Sequence, residues 1–225
     1  MHAYQEEFID FMIRSGVLLF GEFTTKSKRQ TPYFVNTALY SDGSQISRLG
    51  EFYASKARER FGDEFDVLFG PAYKGIPLVC TTAISLHRDS GREVAYAFDR
   101  KEAKDHGEGG VLVGHKLKDG DRVLILEDVT TAGTSIRETV PKLRAHADIE
   151  LVGLIVSIDR CERGQGDRTA LSELSEEFDM PCEAIVTIHD VVESLRGRKV
   201  DGQQVMDAAT EARIAAYLEM YEATS

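Results

Sequence analysis

Residues 123–135 read VLILEDVTTAGTS. The run Val123 to Leu126 has the composition of a strand buried on both faces, since nothing in it alternates with a polar residue. Two adjacent carboxylates, Glu127 and Asp128, end the run. A turn of small and hydroxyl-bearing residues follows (Thr130, Thr131, Ala132, Gly133, Thr134, Ser135), and a helix is predicted to begin near Ile136. Small residues let backbone N–H groups close on a ligand, and the partial positive charge of a helix N-terminus suits a phosphate. The acids just upstream are of the right kind to accept hydrogen bonds from vicinal sugar hydroxyls. A phosphate cradle beside a hydroxyl reader describes a ribose-5-phosphate site. The plainer alternative is an acid-ended strand followed by an ordinary Thr/Ser helix cap.

Working outward, the same rhythm of short apolar runs recurs at DVLFG (66–70), EVAYAF (93–98), RVLILE (122–127), ELVGLIVSI (150–158) and EAIVTI (183–188). Helical stretches separate most of them. Strands of this kind joined by helical crossovers predict an α/β fold, a mostly parallel sheet flanked by helices. In such a sheet, ligands sit at the carboxyl ends of the strands, in the loops that lead into helices. The N-terminal segment is different. Phe8, Phe11 and Met12 recur at helical spacing, whereas residues 17–40 read as irregular or strand-like around Gly21 and Pro32. This change of pattern predicts a small N-terminal hood or cap over 1–62 and an α/β core over 63–200. A C-terminal helix over 201–225 carries Ile214, Leu218 and Tyr221 near one face.

The composition narrows the function. Of 225 residues, 42% are hydrophobic, enough for a substantial core. With 27 Lys and Arg against 38 Asp and Glu, the formal charge of −11 argues against nucleic acid and anionic membranes as partners. Small anionic substrates depend on local cations and stay open. Cys80, Cys161 and Cys182 are odd in number and form no CxxC or Cys/His metal spacing, so reduced thiols are expected. Nothing reads as a signal peptide or as the ~20-residue apolar run of a membrane span. A cytoplasmic, soluble protein is the expectation.

Two further loops stand out. In FGPAYKGIPL (69–78), Gly70, Pro71 and Gly75 make a strand-to-helix turn with Tyr73 and Lys74 at its tip. Lys74 is suited to a diphosphate as a point charge, and Gly75 permits close backbone approach. Alone, the turn would read as an ordinary Pro/Gly corner with a solvated lysine. In DRKEAKDHGEGG (99–110), three cations (Arg100, Lys101, Lys104) face three acids (Glu102, Asp105, Glu108) over 100–110, with His106 among them and a glycine-rich end. That balance is no nucleic-acid patch. It suits a segment that closes on a ligand, or, read blandly, a solvated charged hairpin.

Residues 123–135 resemble the phosphoribosyl diphosphate (PRPP) motif of type I phosphoribosyltransferases, with Glu127 at a position where Asp is also common. The other segments, in order, resemble those of the orotate phosphoribosyltransferases within that family, from Tyr4 to about His189. The resemblance implies that PRPP is bound by Lys26, Tyr73, Lys74, Arg100, Lys101, Lys104, His106 and the run Glu127, Asp128, Val129, Thr130, Thr131, Ala132, Gly133, Thr134, Ser135. It implies a strained peptide near Ala72–Tyr73. KSKRQTPYFVN (26–36) resembles the substrate-gripping segment, which places Lys26, Phe34 and Val35 at orotate together with Thr131. Val35 stands where some relatives carry an aromatic. SIDRCERG (157–164) resembles the segment whose arginine, here Arg160, holds the orotate carboxylate; a planar fork matches a carboxylate bidentately.

The resemblance further implies a homodimer in which segment 99–110 is shared. Arg100, Lys104 and His106 would act in the partner subunit's site and Lys101 in its own. Lys104, His106, Glu127 and Asp128 would be catalytic, and Mg²⁺ the cofactor, held mainly by PRPP and water with no protein metal ligands. Three rival readings stay open at this point. One is a phosphoribosyltransferase acting on a purine or uracil, and a second is a PRPP-binding regulator without catalysis. The third, a dinucleotide enzyme, lacks any G-x-G-x-x-G after a strand.

Overall fold

The computed structural model describes residues 1–25, 29–100 and 111–224. Its centre is a six-stranded sheet of β3 (Val67–Gly70), β4 (Ala95–Asp99), β5 (Leu112–Gly114), β6 (Arg122–Leu126), β7 (Glu150–Asp159) and β8 (Cys182–Thr187), in the order β5-β4-β3-β6-β7-β8. All neighbours are parallel except β5, which runs antiparallel to β4. The five apolar runs of the sequence are the five parallel strands. β5 gives no comparable signal because it is a three-residue edge strand ending in Gly114 at φ +95°.

Alternation along the strands sends side chains to two cores. Leu124 and Leu126 of β6 and Leu68 of β3 enter one; Val123, Ile125, Val67 and Phe69 enter the other. The first core is closed by α1 (Ala3–Arg14), α2 (Gly43–Phe61), α3 (Gly75–Ser90), α6 (Ile188–Leu195) and α7 (Ala208–Tyr221). The second is closed by α4 (Thr134–Arg144) and α5 (Ala170–Phe178). The N-terminal helix buries Phe8, Ile9 and Met12, and the C-terminal one buries Ile214, Tyr217 and Leu218. Phe8, Met12, Ile214 and Leu218 are positions the apolar spacing predicts, whereas Phe11 and Tyr221 are only half-buried against this core.

The sheet order has one consequence for function. From β3 the chain winds outward through β4 and β5, then returns to β6, beside β3 on its other side, and winds the opposite way. The carboxyl ends of β3 and β6 therefore flank a topological switch point, where loops diverge and leave a crevice. The loop after β3 is 71–74, and the loop after β6 is 127–133. Above it, β1 (Leu18–Thr24) and β2 (Gln30–Val35) form a separate antiparallel hairpin.

Candidate active site

Two glycines set the shape of the first loop. A Cβ on Gly75 would lie 2.6 Å from the carbonyl carbon of Gly70, so the end of β3 and the start of α3 touch backbone to backbone. The close approach that Gly75 permits is thus to Gly70 itself. Gly75 N–H donates to the Pro71 carbonyl at 3.0 Å, closing a tight loop in which the Ala72–Tyr73 peptide is cis. Asp99, buried at the end of β4, accepts from Ala72 N–H at 2.7 Å and from Lys142 Nζ at 3.1 Å. The loop leaves Tyr73 exposed and places Lys74 over the crevice.

The second loop begins where β6 ends. The Ser157 amide and hydroxyl both donate to the Asp128 carbonyl, at 2.9 and 2.5 Å, and Tyr53 Oη donates to the Glu127 carbonyl at 2.7 Å. The backbone at the two acids is therefore anchored on both sides. Gly133, at φ +70°, precedes α4, and a side chain there would press on Leu174 at 3.0 Å. Gly133 N–H donates to Thr130 Oγ1 at 3.0 Å, which fixes the turn. The helix starts at Thr134, two residues before the apolar periodicity becomes visible at Ile136.

Side chains from both loops meet across the switch point. Lys74 Nζ lies 2.7 Å from Asp128 Oδ2, and Thr37 Oγ1 lies 2.5 Å from that oxygen and 3.0 Å from Nζ. Burial pushes the Asp128 carboxyl up, but hydrogen bonds from Lys74 and Thr37 outweigh it and hold it below the ordinary aspartate range. The lysine end of the pair is 54% exposed. Such a pair contributes on the order of 0–1 kcal/mol, so surrendering Lys74 to an incoming anion costs little.

This ion pair borders a cleft of about 530 Å³. Phe34 and Val35 of β2 line one wall, Val129, Thr130, Thr131 and Ala132 another, and Arg160 with Glu162 the far end. Phe34 stacks on Phe23 at 5.4 Å between ring centres. Arg160 is nearly buried. Its Nε and Nη2 donate to Glu162 Oε1 at 2.8 and 2.6 Å, and its guanidinium carbon sits 4.7 Å over the ring of Tyr33. Tyr33 Oη in turn donates to Glu162 at 3.0 Å. Glu162 thus occupies the side-on edge of the guanidinium, Nη2 also donates to Thr31 Oγ1 at 3.4 Å, and Nη1 has no hydrogen-bond partner among the described residues.

Of the residues named from sequence, Phe34, Val35, Lys74, Asp128, Val129, Thr130, Thr131, Ala132 and Arg160 come together on this cleft. Glu127, Gly133, Thr134 and Ser135 do not line it. Glu127 is buried behind Asp128, and Ser135 faces a smaller cleft with Ala72 and Asp99. Arg100 is tied to Val111 by its amide at 2.7 Å, outside the cleft lining. Lys26, Lys101, Lys104 and His106 lie outside the described residues. Among the described residues no three His, Cys, Asp or Glu side chains converge as metal ligands would.

Sequence reading missed Thr37, Arg29, Asp159 and Glu162. Asp159 and Glu162 flank Arg160 within SIDRCERG and were legible as neighbours of a named residue. Thr37, one residue past the substrate-gripping segment, carries no signal of its own.

The phosphoribosyl transferase domain family matches residues 36–191. The chain is 54% identical over 223 residues to the orotate phosphoribosyltransferase of Clostridium beijerinckii, covering 99% of this chain and all of that one. It is 52% identical over 195 residues to that of Thiobacillus denitrificans, covering 87% and 90%. The fold superposes with TM-score 0.84 on the crystal structure of orotate phosphoribosyltransferase from Francisella tularensis, at 34% identity over 96% of this chain and 100% of that one. With the switch-point cleft and its strand–acid–acid–small-loop motif in place, the chain belongs to the orotate phosphoribosyltransferase family.

Proposed function

We infer that the chain transfers the 5-phosphoribosyl group of PRPP to orotate, giving orotidine 5′-monophosphate and diphosphate in pyrimidine biosynthesis. The observation that carries this reading is the Lys74–Asp128 pair at the edge of a cleft whose wall is the Val129–Ala132 loop and whose far end holds Arg160. These groups suit the parts of the two substrates: a cation for the diphosphate, a carboxylate for ribose hydroxyls, a small-residue loop for the 5-phosphate and a guanidinium for the carboxylate of the base.

In this proposal the 5-phosphate rests on the backbone of 130–135. Asp128 takes ribose hydroxyls, and Glu127 joins it when Ser135 releases its carboxylate. Lys74 leaves Asp128 for the diphosphate. Phe34, Val35 and Thr131 flank the base, and the end-on fork of Arg160 takes its carboxylate. Lys26, Tyr73, Arg100, Lys101, Lys104 and His106 complete the PRPP contacts on the strength of the resemblance. Mg²⁺ bound mainly by PRPP and water supplies positive charge beside the diphosphate. Asp128 keeps its bond from Thr37 when Lys74 leaves, and Glu162 is held by Arg160, so such an ion would draw its ligands chiefly from PRPP and water. As the C1–O bond breaks, the diphosphate leaves with the bonding pair and positive charge develops on the ribose ring. Asp128 and Glu127 have the sign to stabilise that ring, and Lys74 stabilises the leaving group. The ring nitrogen of orotate then forms the new bond to C1 from the opposite face and gives up its proton, which the departing diphosphate can accept. Positioning and preorganised charge carry the rate.

The proposal also includes a cytoplasmic homodimer sharing segment 99–110, and the organisation into 1–62, 63–200 and 201–225. No described helix is long and apolar enough to cross a membrane. Mixing Lys104→Ala with Asp128→Asn protein tests the shared site: partial recovery of activity supports it, and none counts against it. The reaction itself is tested by the loss of orotate absorbance on adding PRPP and Mg²⁺, with adenine, guanine and uracil in parallel. Loss confined to orotate, with matching diphosphate release, is expected. Turnover of another base instead would overturn the assignment, and PRPP binding without any turnover would point to a regulator.

A further inference from the structure

Thr37 opens the short 3-10 turn Thr37–Leu39 directly after β2, the strand that carries Phe34 and Val35. The turn is fastened to the base of the hairpin, since Asn36 N–H donates to the Val17 carbonyl at 2.8 Å and the Asn36 side chain accepts from Ala38 N–H at 3.3 Å. A hydroxyl has one proton to give and lone pairs to accept with. At Thr37 the proton goes to Asp128 Oδ2, and the lone pair accepts from Lys74 Nζ. Hairpin, β3 loop and β6 loop thus meet at one oxygen atom.

We propose that Thr37 is a positioning residue that holds the Asp128 carboxylate in its binding orientation while Lys74 leaves for the diphosphate, and so couples the base-binding hairpin to PRPP capture. This rests on the reading of Asp128 and Lys74 as PRPP contacts. The physical reason lies in what remains after Lys74 departs. The donor bond from Thr37 is independent of Lys74, is charge-assisted, and fixes Oδ2. The carboxylate then keeps its orientation toward a ribose hydroxyl. Without the Thr37 proton, Lys74 would be the remaining cross-loop donor to Asp128 Oδ2. PRPP would then have to separate that pair and reorient the carboxylate.

The test compares Thr37→Val, which keeps the shape and lacks the hydroxyl, with Thr37→Ser, which keeps the hydroxyl. Thr37→Ala serves the same purpose should valine disturb the turn. Thr37→Val is expected to raise the KM for PRPP roughly tenfold, the size of one lost hydrogen bond to a charged group, with a smaller change in kcat. Thr37→Ser should return the KM to within about twofold of wild type. In an Asp128→Asn background the valine substitution should have little further effect. A Thr37→Val enzyme with wild-type KM for PRPP, beside an Asp128→Asn enzyme whose KM is raised, overturns the inference and leaves the reading of the site standing. If Asp128→Asn itself leaves the KM for PRPP unchanged, the reading of Asp128 fails and the inference falls with it.

Discussion

The hydroxyl of Ser135 donates to a carboxylate oxygen of Glu127 across 2.7 Å, tying the start of α4 back to the end of β6. The Asp128 amide donates to the other Glu127 oxygen at 3.0 Å. Both oxygens are satisfied, yet the residue is only 7% exposed. Burial outweighs those hydrogen bonds, and with the Asp128 charge beside it the carboxyl is pushed up to about 7.

This gives stability a pH dependence of definite sign. A carboxyl whose folded pKa exceeds its unfolded one binds more protons when folded, so its contribution is fully present below about 4.5 and is lost as pH rises towards about 7. Asp128, shifted the other way, acts only at acid pH, where its contribution is lost as pH falls. Glu127→Gln removes the titration while keeping the shape. Its melting temperature relative to wild type should therefore increase as pH is raised from about 5 to about 8, measured by scanning calorimetry. A difference that does not change over this window would show that Glu127 does not titrate there.

Arg160 and Glu162 form a buried pair, with side-chain exposures of 10% and 13%. Removing one member leaves a buried charge poorly compensated, at a cost on the order of 3–5 kcal/mol. Arg160→Ala should destabilise the protein by that amount in urea titration. It should also abolish orotate saturation. Adding Glu162→Gln to Arg160→Ala should recover much of the stability and none of the orotate binding, because the fork is still missing. Recovery of both would mean that Arg160 serves the fold alone.

The five parallel strands were legible in the sequence because an unbroken apolar run of strand length needs a sheet covered on both faces. The loop at 127–135 was legible because its composition is so restricted. Contacts across elements were not visible. Nothing in the sequence around Thr37 says that its hydroxyl meets Asp128, 91 residues on. Nor does adjacency of Glu127 and Asp128 reveal that one faces the cleft and the other lies behind it. Successive residues at a strand end point to opposite sides, so paired acids in a motif need not share an environment.

The contact between Gly70 and Gly75 leads to a third expectation. Gly75→Ala must move α3 away from β3, because the added methyl would meet backbone and not a flexible side chain. Overpacking of this kind costs about 1–3 kcal/mol. The displaced turn also carries Lys74, so the KM for PRPP should rise in the same variant. A Gly75→Ala protein with unchanged unfolding midpoint and unchanged KM would contradict the backbone contact.

The C-terminal residues are expected to matter for orotate more than their lack of motif suggests. Beyond α7 the chain turns back onto the segment that follows Arg160. Ala223 N–H donates to the Cys161 carbonyl at 2.9 Å, Thr224 N–H to the Asp167 carbonyl at 2.9 Å, and Arg163 N–H to the Tyr221 carbonyl at 3.0 Å. Glu222 pairs with His189 at 2.6 Å, and Arg29 lies over the Tyr221 ring at 5.0 Å. Cys161 itself sits at φ +55°, an uncommon conformation for a residue with a side chain, so its surroundings must hold it there. Deleting residues 222–225 removes the two backbone bonds donated by Ala223 and Thr224, each contributing about 0.5–1.5 kcal/mol, and releases the stretch that orients Arg160 and Glu162. The truncated protein should show a several-fold higher KM for orotate with the KM for PRPP near wild type, since Lys74, Thr37 and Asp128 lie on other elements. Equal rises in both constants would indicate general loosening of the fold. An unchanged orotate KM with a lower melting temperature would reduce the tail to a brace for α7.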